Sequence, residues 1–244
     1  KTVSAGILIK KFRSVGMTDE QALAAANPIR LDVRSLYNPY YNYAQYLLPG
    51  LLTAMLQMSW MMSAALVIST EFKENSVRRL WAESAHSPWA LLVGKATPYV
   101  MIGIVQFVVL FLVVLLLGKT AAPTCWLATL GFTLIFLLTS QSLGLMISCL
   151  VHDPMFATEI SVFINTPAFL FSGYTFPVWG MPALHTLIAR ILPFTYYLGG
   201  LIKVFVMDQP VWSIWREALI LSGFILVSAW ISIRSLAKTM RGLA

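Results

Sequence analysis

One short run in this 244-residue sequence has the residue types of a nucleotide site. Gly118-Lys119-Thr120 resembles the end of a phosphate-binding loop, whose backbone amides and lysine hold the phosphates of a nucleotide. That motif also needs a glycine at position 113, where this chain has Val113. A helix end with one lysine extended toward the membrane interface explains the run better, so we predict that this chain binds no ATP of its own.

The other residue types that do chemistry are scattered. His86, His152 and His185 have no second ligand at metal-binding spacing, so no metal site is predicted. No serine lies in a nucleophile elbow or beside a histidine and an aspartate that would activate it. We therefore predict no catalytic, cofactor-binding or metal-binding residues, and a chain that is not itself an enzyme.

Glu159 is the one acidic residue predicted within or near an apolar segment of membrane length. Ionisable residues in such segments are candidates for function, but a carboxylate at the membrane interface can also cap a helix or pair locally. Both interpretations stay open. Weakly polar residues in the apolar segments are candidates for the lining of a pathway. They are Gln57, Ser59, Ser63, Gln106, Gln141 and Asn165.

The composition is that of a polytopic membrane protein. Hydrophobic residues make up 58% of the chain and charged residues 11%, whereas a soluble domain carries about 25% charge. The net charge of +7 has no aromatic-basic groove motif beside it, so we attribute it to membrane topology and anionic lipids rather than nucleic acid. Cys125 and Cys149 lie at opposite ends of one apolar run, too far apart for a disulfide if that run spans a bilayer.

The charge-free runs predict five transmembrane helices, because about 20 apolar residues cross a hydrocarbon core of about 30 Å. The predicted spans are about 46–70, 96–118, 124–151, 155–173 and 212–234, within a transmembrane domain over 41–244. The segment 174–200 is apolar but interrupted by prolines and glycines, which predicts a re-entrant helical segment at the outer face. The predicted fold class is an all-α polytopic membrane protein.

Residues 1–40 have the pattern of a soluble segment. Thr18-Asp-Glu-Gln21 fits a capping box and predicts a short helix through Ala26. Apolar and charged residues then alternate over 29–33, as in a half-buried strand. We interpret residues 1–40 as the remnant of an α/β extracytoplasmic domain. Because the chain starts at Lys1, we expect an N-terminal portion to be missing.

The stretch from Glu71 to Pro88 is the densest cluster of charge after residue 34 and lies between two apolar runs. Charge this dense cannot lie in hydrocarbon, so a loop or an interfacial helix at one membrane face is predicted over 71–88. Glu74 and Arg78 would form an i,i+4 pair on it. Apolar residues amid charges of both signs suit docking to a soluble partner, whereas a solvated connector is the alternative. The residues that follow helical spacing in this stretch are Phe72, Ser76, Arg79 or Leu80, and Glu83. The apolar residues amid the charges are Leu80 and Trp81.

Two further patterns concern orientation and packing. Seven basic residues flank the spans on the side of 71–88 and four on the other, which predicts that this stretch and the C-terminus are cytoplasmic. Ser140, Gly144 and Ser148 form a small-residue stripe at four-residue spacing. Such a stripe allows close helix packing, either within one subunit or between subunits.

Several motifs together resemble the permease subunit of type-2 ABC exporters, over about residues 36–240. The coupling-helix signature of that family corresponds to Glu71, Glu74, Ser76, Leu80, Ser87-Pro88 and Gly94-Lys95. Further matches are Tyr37-Asn-Pro39, Pro49-Gly50, Gly144, Ser148, Ser172-Gly173-Tyr-Thr-Phe-Pro177, Met181-Pro182 and Pro193-Phe-Thr-Tyr196. The chain departs from the family at Asn75, where glycine is common, and at Arg78, where an acid is common.

The resemblance implies a permease of the bacterial inner membrane that contacts lipids and pairs with a second, identical or similar permease. Separate ATPase subunits would bind ATP and Mg²⁺ and push on the coupling helix, and a periplasmic adaptor protein is a further implied partner. The implied coupling residues are Glu71, Phe72, Glu74, Ser76, Arg78, Arg79, Leu80 and Trp81. The implied outer gate comprises Ser172, Gly173, Phe176, Pro177, Met181, Pro182 and Pro193.

An ion-coupled secondary transporter or channel is the alternative. It predicts several charged residues within the spans, often in repeated halves, whereas this sequence offers Glu159 and no internal repeat. The weakly polar candidate pathway suits lipidic or amphiphilic cargo.

Overall fold

The computed structural model describes residues 2–26, 43–118 and 126–243, and the chain forms two compact units, 1–41 and 42–244. In the first unit, α1 covers Thr2–Ser14 and α2 covers Asp19–Ala26. The predicted capping box is confirmed, because the Thr18 and Gln21 side chains each accept the other's backbone N–H, at 3.4 and 3.2 Å. The predicted strand at 29–33 lies outside the described residues. The described part of this unit is helical, so the α/β interpretation has no support.

The second unit consists of helices throughout its described part. The long helices are α3 (Tyr43–Lys73), α5 (Pro88–Gly118), α6 (Trp126–Leu150), α7 (Pro154–Phe171) and α10 (Trp215–Leu243). Shorter helices connect them: α4 (Val77–Glu83), α8 (Ala183–Ile191) and α9 (Pro193–Leu201), the last continuing as a π turn over Ile202–Val206. Two 3₁₀ turns cover Val178–Gly180 and Val211–Ile214.

Four of these helices, α3, α5, α6 and α10, are long and apolar enough to cross a membrane. The predicted span at 155–173 forms α7, a helix of 18 residues and about 27 Å, which is not among the helices that are long and apolar enough to cross a membrane. The helices α8 and α9 meet at an angle of 83° and could together count as a fifth span or a re-entrant segment. The all-α polytopic membrane fold is therefore confirmed, with four to five candidate spans.

The helices α3 and α6 pack closely at the predicted small-residue stripe. A Cβ atom at Gly144 would lie 2.5 Å from the Met61 carbonyl oxygen and 2.6 Å from the Ala64 Cβ. One turn further, the Ser148 hydroxyl oxygen accepts hydrogen bonds from the backbone N–H groups of Ile68 and Ser69, both at 2.8 Å. The stripe therefore packs within this subunit, because only small side chains let the two backbones approach so closely.

A stack of aromatic rings fills the core beside this contact. Phe136 on α6 and Tyr197 on α9 stack with their ring centroids 3.9 Å apart and a 6° tilt. The Tyr197 hydroxyl pairs with Thr133 at 3.1 Å, which satisfies its polar end inside the apolar core. Gly200 leaves room for Phe132, since a Cβ there would lie 2.4 Å from that ring. This packing holds α9 against α6.

The contact at Gly144 predicts a strong asymmetry between two glycines of α6. Gly144→Val should lower the free energy of unfolding by about 1–3 kcal/mol, because the added atoms overlap the α3 backbone and force the helices apart. The measurement is thermal or denaturant unfolding of the protein in detergent. Gly131→Val is the matched control, since nothing lies within 4 Å of a Cβ at Gly131. Equal losses from the two changes would contradict the packing role.

Candidate functional sites

The predicted helix over 71–88 is broken in two places. Residues 71–73 belong to α3, and α4 begins only at Val77, after a turn at Asn75. Asn75 has φ +55°, a left-handed conformation that a helix cannot continue through and that asparagine tolerates better than most residues. A second turn follows α4, with Ala85 and His86 also at positive φ. The helix expected over 71–88 is therefore not continuous, and α4 is a seven-residue helix that follows the end of α3 after a turn.

Glu71 at the end of α3 holds the first turn in place. One carboxylate oxygen pairs with the Lys95 ammonium group on α5, and the other accepts the Ser76 hydroxyl. The Ser76 backbone N–H also donates to the Glu71 carbonyl oxygen at 3.0 Å. These contacts join α3, the turn before α4 and the first part of α5. Glu71 and Ser76 are therefore positioning residues for α4 rather than its exposed surface.

The inner face of α4 rests on an apolar cluster made by the ends of several helices. Val77 is fully buried, and Leu80 and Trp81 are half-buried against the same cluster. The cluster centres on Ile68 of α3 and Cys149 of α6, both inaccessible. Leu80 and Trp81 were interpreted as anchors for a partner, but the structure packs them against their own chain. They fix the orientation of α4.

The outer face of α4 presents charge to solvent. Arg78, Arg79 and Glu83 are exposed on it, as is Glu74 in the preceding turn. The predicted Glu74–Arg78 pair does not form, because the break at Asn75 puts the two residues on different elements. Arg79 instead pairs with Glu83 at 3.4 Å. This charged face is the part of the 71–88 stretch that another protein could contact.

His152, considered in the sequence only as a possible metal ligand, has a structural role at the end of α3 that precedes α4. The His152 ring, in the turn between α6 and α7, stacks on Phe72 with the ring centroids 3.9 Å apart. Its neighbour Asp153 caps α7 by accepting the Phe156 backbone N–H at 2.9 Å. The α6–α7 turn therefore adjoins the end of α3. No local sequence pattern shows this contact, because it joins residues 80 positions apart.

At the opposite end of α3, a turn after α7 closes over the helix. Gly173 has φ +88°, and a Cβ there would lie 2.7 Å from Val178, so glycine is required in this turn. The turn lays the Tyr174 ring on Gly50, where a Cβ would lie 2.4 Å from the ring. The Tyr174 hydroxyl accepts the Gly50 backbone N–H at 3.3 Å. The contact between Tyr174 and Gly50 thus lies among the predicted gate residues.

The Pro193-Phe-Thr-Tyr196 motif makes the bend between α8 and α9. Leu192 is extended and Pro193 starts α9, so the helix axis turns at this point. Phe194 is fully buried in the aromatic core, and the Tyr196 hydroxyl donates to the Arg190 carbonyl oxygen at 2.7 Å, near the end of α8. The motif therefore anchors the bend on both sides.

The predicted gate residues divide into a buried and an exposed group. Ser172 and Pro193 are buried, and the Ser172 hydroxyl donates to the Phe169 carbonyl oxygen at 2.7 Å. Phe176, Pro177 and Pro182 are exposed, and Met181 is half-buried. The predicted gate residues thus lie in the turn after α7 and at the bend between α8 and α9, and the exposed ones form a rim.

The candidate pathway residues do not form one continuous lining in this structure. Gln57, Gln141 and Asn165 are buried in the bundle, and each has at least one side-chain polar atom without a partner among the described residues. Asn165 also donates to the Met61 sulfur at 3.3 Å, one turn along α3 from Gln57. Polar atoms left unpaired in an apolar interior cost free energy, which favours a role beyond packing for these amides.

The remaining pathway candidates lie at the edges of the bundle. Gln106 accepts the Trp60 indole N–H at 3.0 Å, and the Ser63 hydroxyl donates to the Trp60 carbonyl oxygen at 2.9 Å. Ser59 is exposed in a groove between α3 and α5. Glu159 is exposed on α7. It neither caps a helix nor pairs with another described residue, so the local interpretation of this carboxylate finds no support.

Comparisons with known proteins agree on one family. A family model described as "ABC-2 family transporter protein" matches residues 2–234. The chain is 27% identical over 223 residues to the probable multidrug ABC transporter permease YbhR of Escherichia coli K12, which covers 88% of this chain and 59% of YbhR. It is 23% identical over 180 residues to YbhS of the same organism, described in the same words, covering 72% of this chain and 47% of YbhS. The chain thus spans about half the length of these relatives.

The Glu71 contacts predict a coupling energy that can be measured. A double-mutant cycle with Glu71→Gln and Lys95→Met should give a coupling free energy of about 1–2 kcal/mol in unfolding, because the Glu71 side chain is only 15% exposed and that of Lys95 34%. The control cycle with Arg79→Met and Glu83→Gln should give about 0.5 kcal/mol or less, since that pair is exposed. Similar values for the two pairs would contradict the positioning role of Glu71.

Proposed function

This chain belongs to the ABC-2 family of transporter proteins, and we propose on that premise that it is the permease subunit of an ATP-driven exporter. In this proposal, the described helices form part of a substrate pathway. A separate ATPase subunit, which holds ATP and Mg²⁺, docks on the exposed face of α4. The names of YbhR and YbhS, probable multidrug ABC transporter permeases, support export of drug-like or amphiphilic compounds.

The observation that carries this proposal is the contrast between the two faces of α4. Its apolar face is fixed on the chain's own core, and Glu71 ties the preceding turn to Lys95. Its charged face, with Arg78 and Arg79, has no such support and is exposed. A short rigid helix that presents charges of both signs is suited to receive force from a soluble partner with complementary charge.

In this proposal, a force applied at α4 is transmitted through α3 to the contact between Gly50 and Tyr174, which we call the outer closure. The helix α3 is continuous from Gly50, beneath Tyr174, to Glu71, beside Ser76. Glu71 is 21 positions after Gly50, which corresponds to roughly 32 Å of helix, about the thickness of the hydrocarbon core. Tilting α4 would therefore move α3 as one rod and change the contact between Gly50 and Tyr174.

The proposal extends to topology and partners. We place α4 and the end of α10 on the cytoplasmic side of the bacterial inner membrane, as the distribution of basic residues favours. A second permease, identical or similar, completes the pathway, and lipids surround the two. A remnant of an extracytoplasmic domain at residues 1–40 and a periplasmic adaptor protein stay predictions from the family resemblance.

Charge reversal on α4 tests the docking role. The Arg78→Glu, Arg79→Glu double variant should reduce co-purification of the ATPase by about tenfold or more, because like charges placed across an interface cost several kcal/mol. Arg190→Glu reverses another exposed arginine, on α8, and should leave co-purification unchanged. Size-exclusion chromatography of the permease checks folding. Normal co-purification and transport in the double variant would overturn the proposal.

A change at Gly50 tests the outer closure separately from docking. Gly50→Val should displace the Tyr174 ring and reduce transport several-fold, with the ATPase still bound, because α4 is untouched. Transport of a fluorescent amphiphile into inverted vesicles, with pull-down of the ATPase in parallel, gives both readouts. Gly199→Val is the control, since nothing lies within 4 Å of a Cβ at that position. Unchanged transport in Gly50→Val would exclude a gating role for this contact.

A further inference from the structure

An exposed groove runs along α3 and α7 on the outside of the bundle. Its volume is about 590 Å³, and its walls are mainly apolar, with Met62 on α3 and Phe163, Pro167 and Leu170 on α7. Phe163 is 80% exposed, so the groove is open rather than filled by the chain's own side chains. This volume falls within the range of about 300–1,000 Å³ that small-molecule sites occupy.

One carboxylate stands in this apolar groove. Glu159 is the only ionisable residue among the side chains that line it, and the two other polar groups there are the hydroxyls of Thr158 and Thr166. Both hydroxyls already donate to backbone carbonyl oxygens of α7. Glu159 forms no hydrogen bond or ion pair with any residue that the structure describes. A carboxylate without a partner in a mainly apolar groove is a candidate site for a cationic ligand.

We infer that this groove binds lipophilic organic cations, with Glu159 as the residue that selects for positive charge. The inference rests on the proposed export function, since it names the class of cargo for that pathway. Charge complementarity with the Glu159 carboxylate identifies the occupant as a cation, and the apolar walls indicate that it is lipophilic. An apolar body can lie along Phe163 and Leu170, and the cationic group can reach the Glu159 carboxylate.

The position of Glu159 along α7 fits an amphiphile lying parallel to the helix. Glu159 is five residues from the start of α7 at Pro154, which places it roughly 7–8 Å along the helix axis. Leu170 is 11 residues further, or roughly 16 Å. The charged end of the groove therefore lies toward the end of the bundle that carries α4, and the apolar end lies deeper. A cation entering from that membrane face would meet the carboxylate first.

Two ions of nearly the same shape and opposite charge provide the test. Tetraphenylphosphonium and tetraphenylborate are offered to the assembled transporter in neutral-lipid nanodiscs without ATP, and equilibrium binding is measured. After binding to empty nanodiscs is subtracted, we expect saturable binding of the cation and at least about tenfold weaker binding of the anion, as one partly screened ion pair would produce. Glu159→Gln should weaken cation binding by about tenfold or more, and Glu159→Asp should retain most of it.

Two further variants separate charge from shape and folding. Phe163→Ala should weaken both ions, because it removes an apolar wall without changing the charge. Glu20→Gln removes one exposed carboxylate from α2, which is not part of the groove lining, and should change nothing. Because Glu159 is exposed, Glu159→Gln should keep its unfolding temperature and its bound ATPase.

Three results would overturn the inference. They are equal binding of the two ions, an affinity for the cation that is unchanged in Glu159→Gln, and loss of cation binding in the Glu20→Gln control. The first two would instead indicate a groove filled by a phospholipid or by a second copy of the chain. The proposed function fails by a different readout. A permease that never co-purifies with an ATPase would contradict it, whatever the binding of the two ions.

Discussion

The close contact between α3 and α6 is the constraint on which the rest of the structure depends. At Gly144 the two backbones approach to a distance that excludes even a methyl group, and at Ser148 a side chain of α6 hydrogen-bonds directly to the backbone of α3. In a membrane, where lipid is as apolar as the helix surface, such packing and polar contacts hold helices together. Because α3 is fixed along this line, both of its ends have defined neighbours.

Those two ends are the places where the chain departs from regular helix. At one end, the left-handed turn at Asn75 separates α4 from α3, and Glu71 and Lys95 hold that turn. At the other end, the left-handed turn at Gly173 lays Tyr174 on Gly50. Each departure is stabilised by a contact to a distant part of the chain. In the proposed permease function, a continuous rod between two such junctions would transmit a push at one membrane face to the other.

The polar residues of the bundle fall into two classes with different physical consequences. Buried amides such as Gln57 and Gln141 are enclosed by neighbouring helices, where an unpaired polar atom is costly but shielded from lipid. Glu159 instead lies on an open, mainly apolar surface. A helix bundle with one fixed set of contacts would need neither the buried amides nor the exposed carboxylate. Their presence on α3, α6 and α7 is consistent with helices that exchange contacts during a transport cycle.

The sequence alone determined the membrane class, the approximate positions of the long helices, the small-residue stripe and the family, because these depend on local composition and short motifs. It did not determine how residues 71–88 fold, since a break at Asn75 depends on the partners of Glu71 at Lys95 and Ser76. Helical spacing alone also did not show that Leu80 and Trp81 pack partly against their own chain. Only the tertiary structure decided which face of α4 is covered, because burial results from contacts between segments far apart in the chain. The same holds for Tyr174 on Gly50, and for the groove that leaves Glu159 exposed.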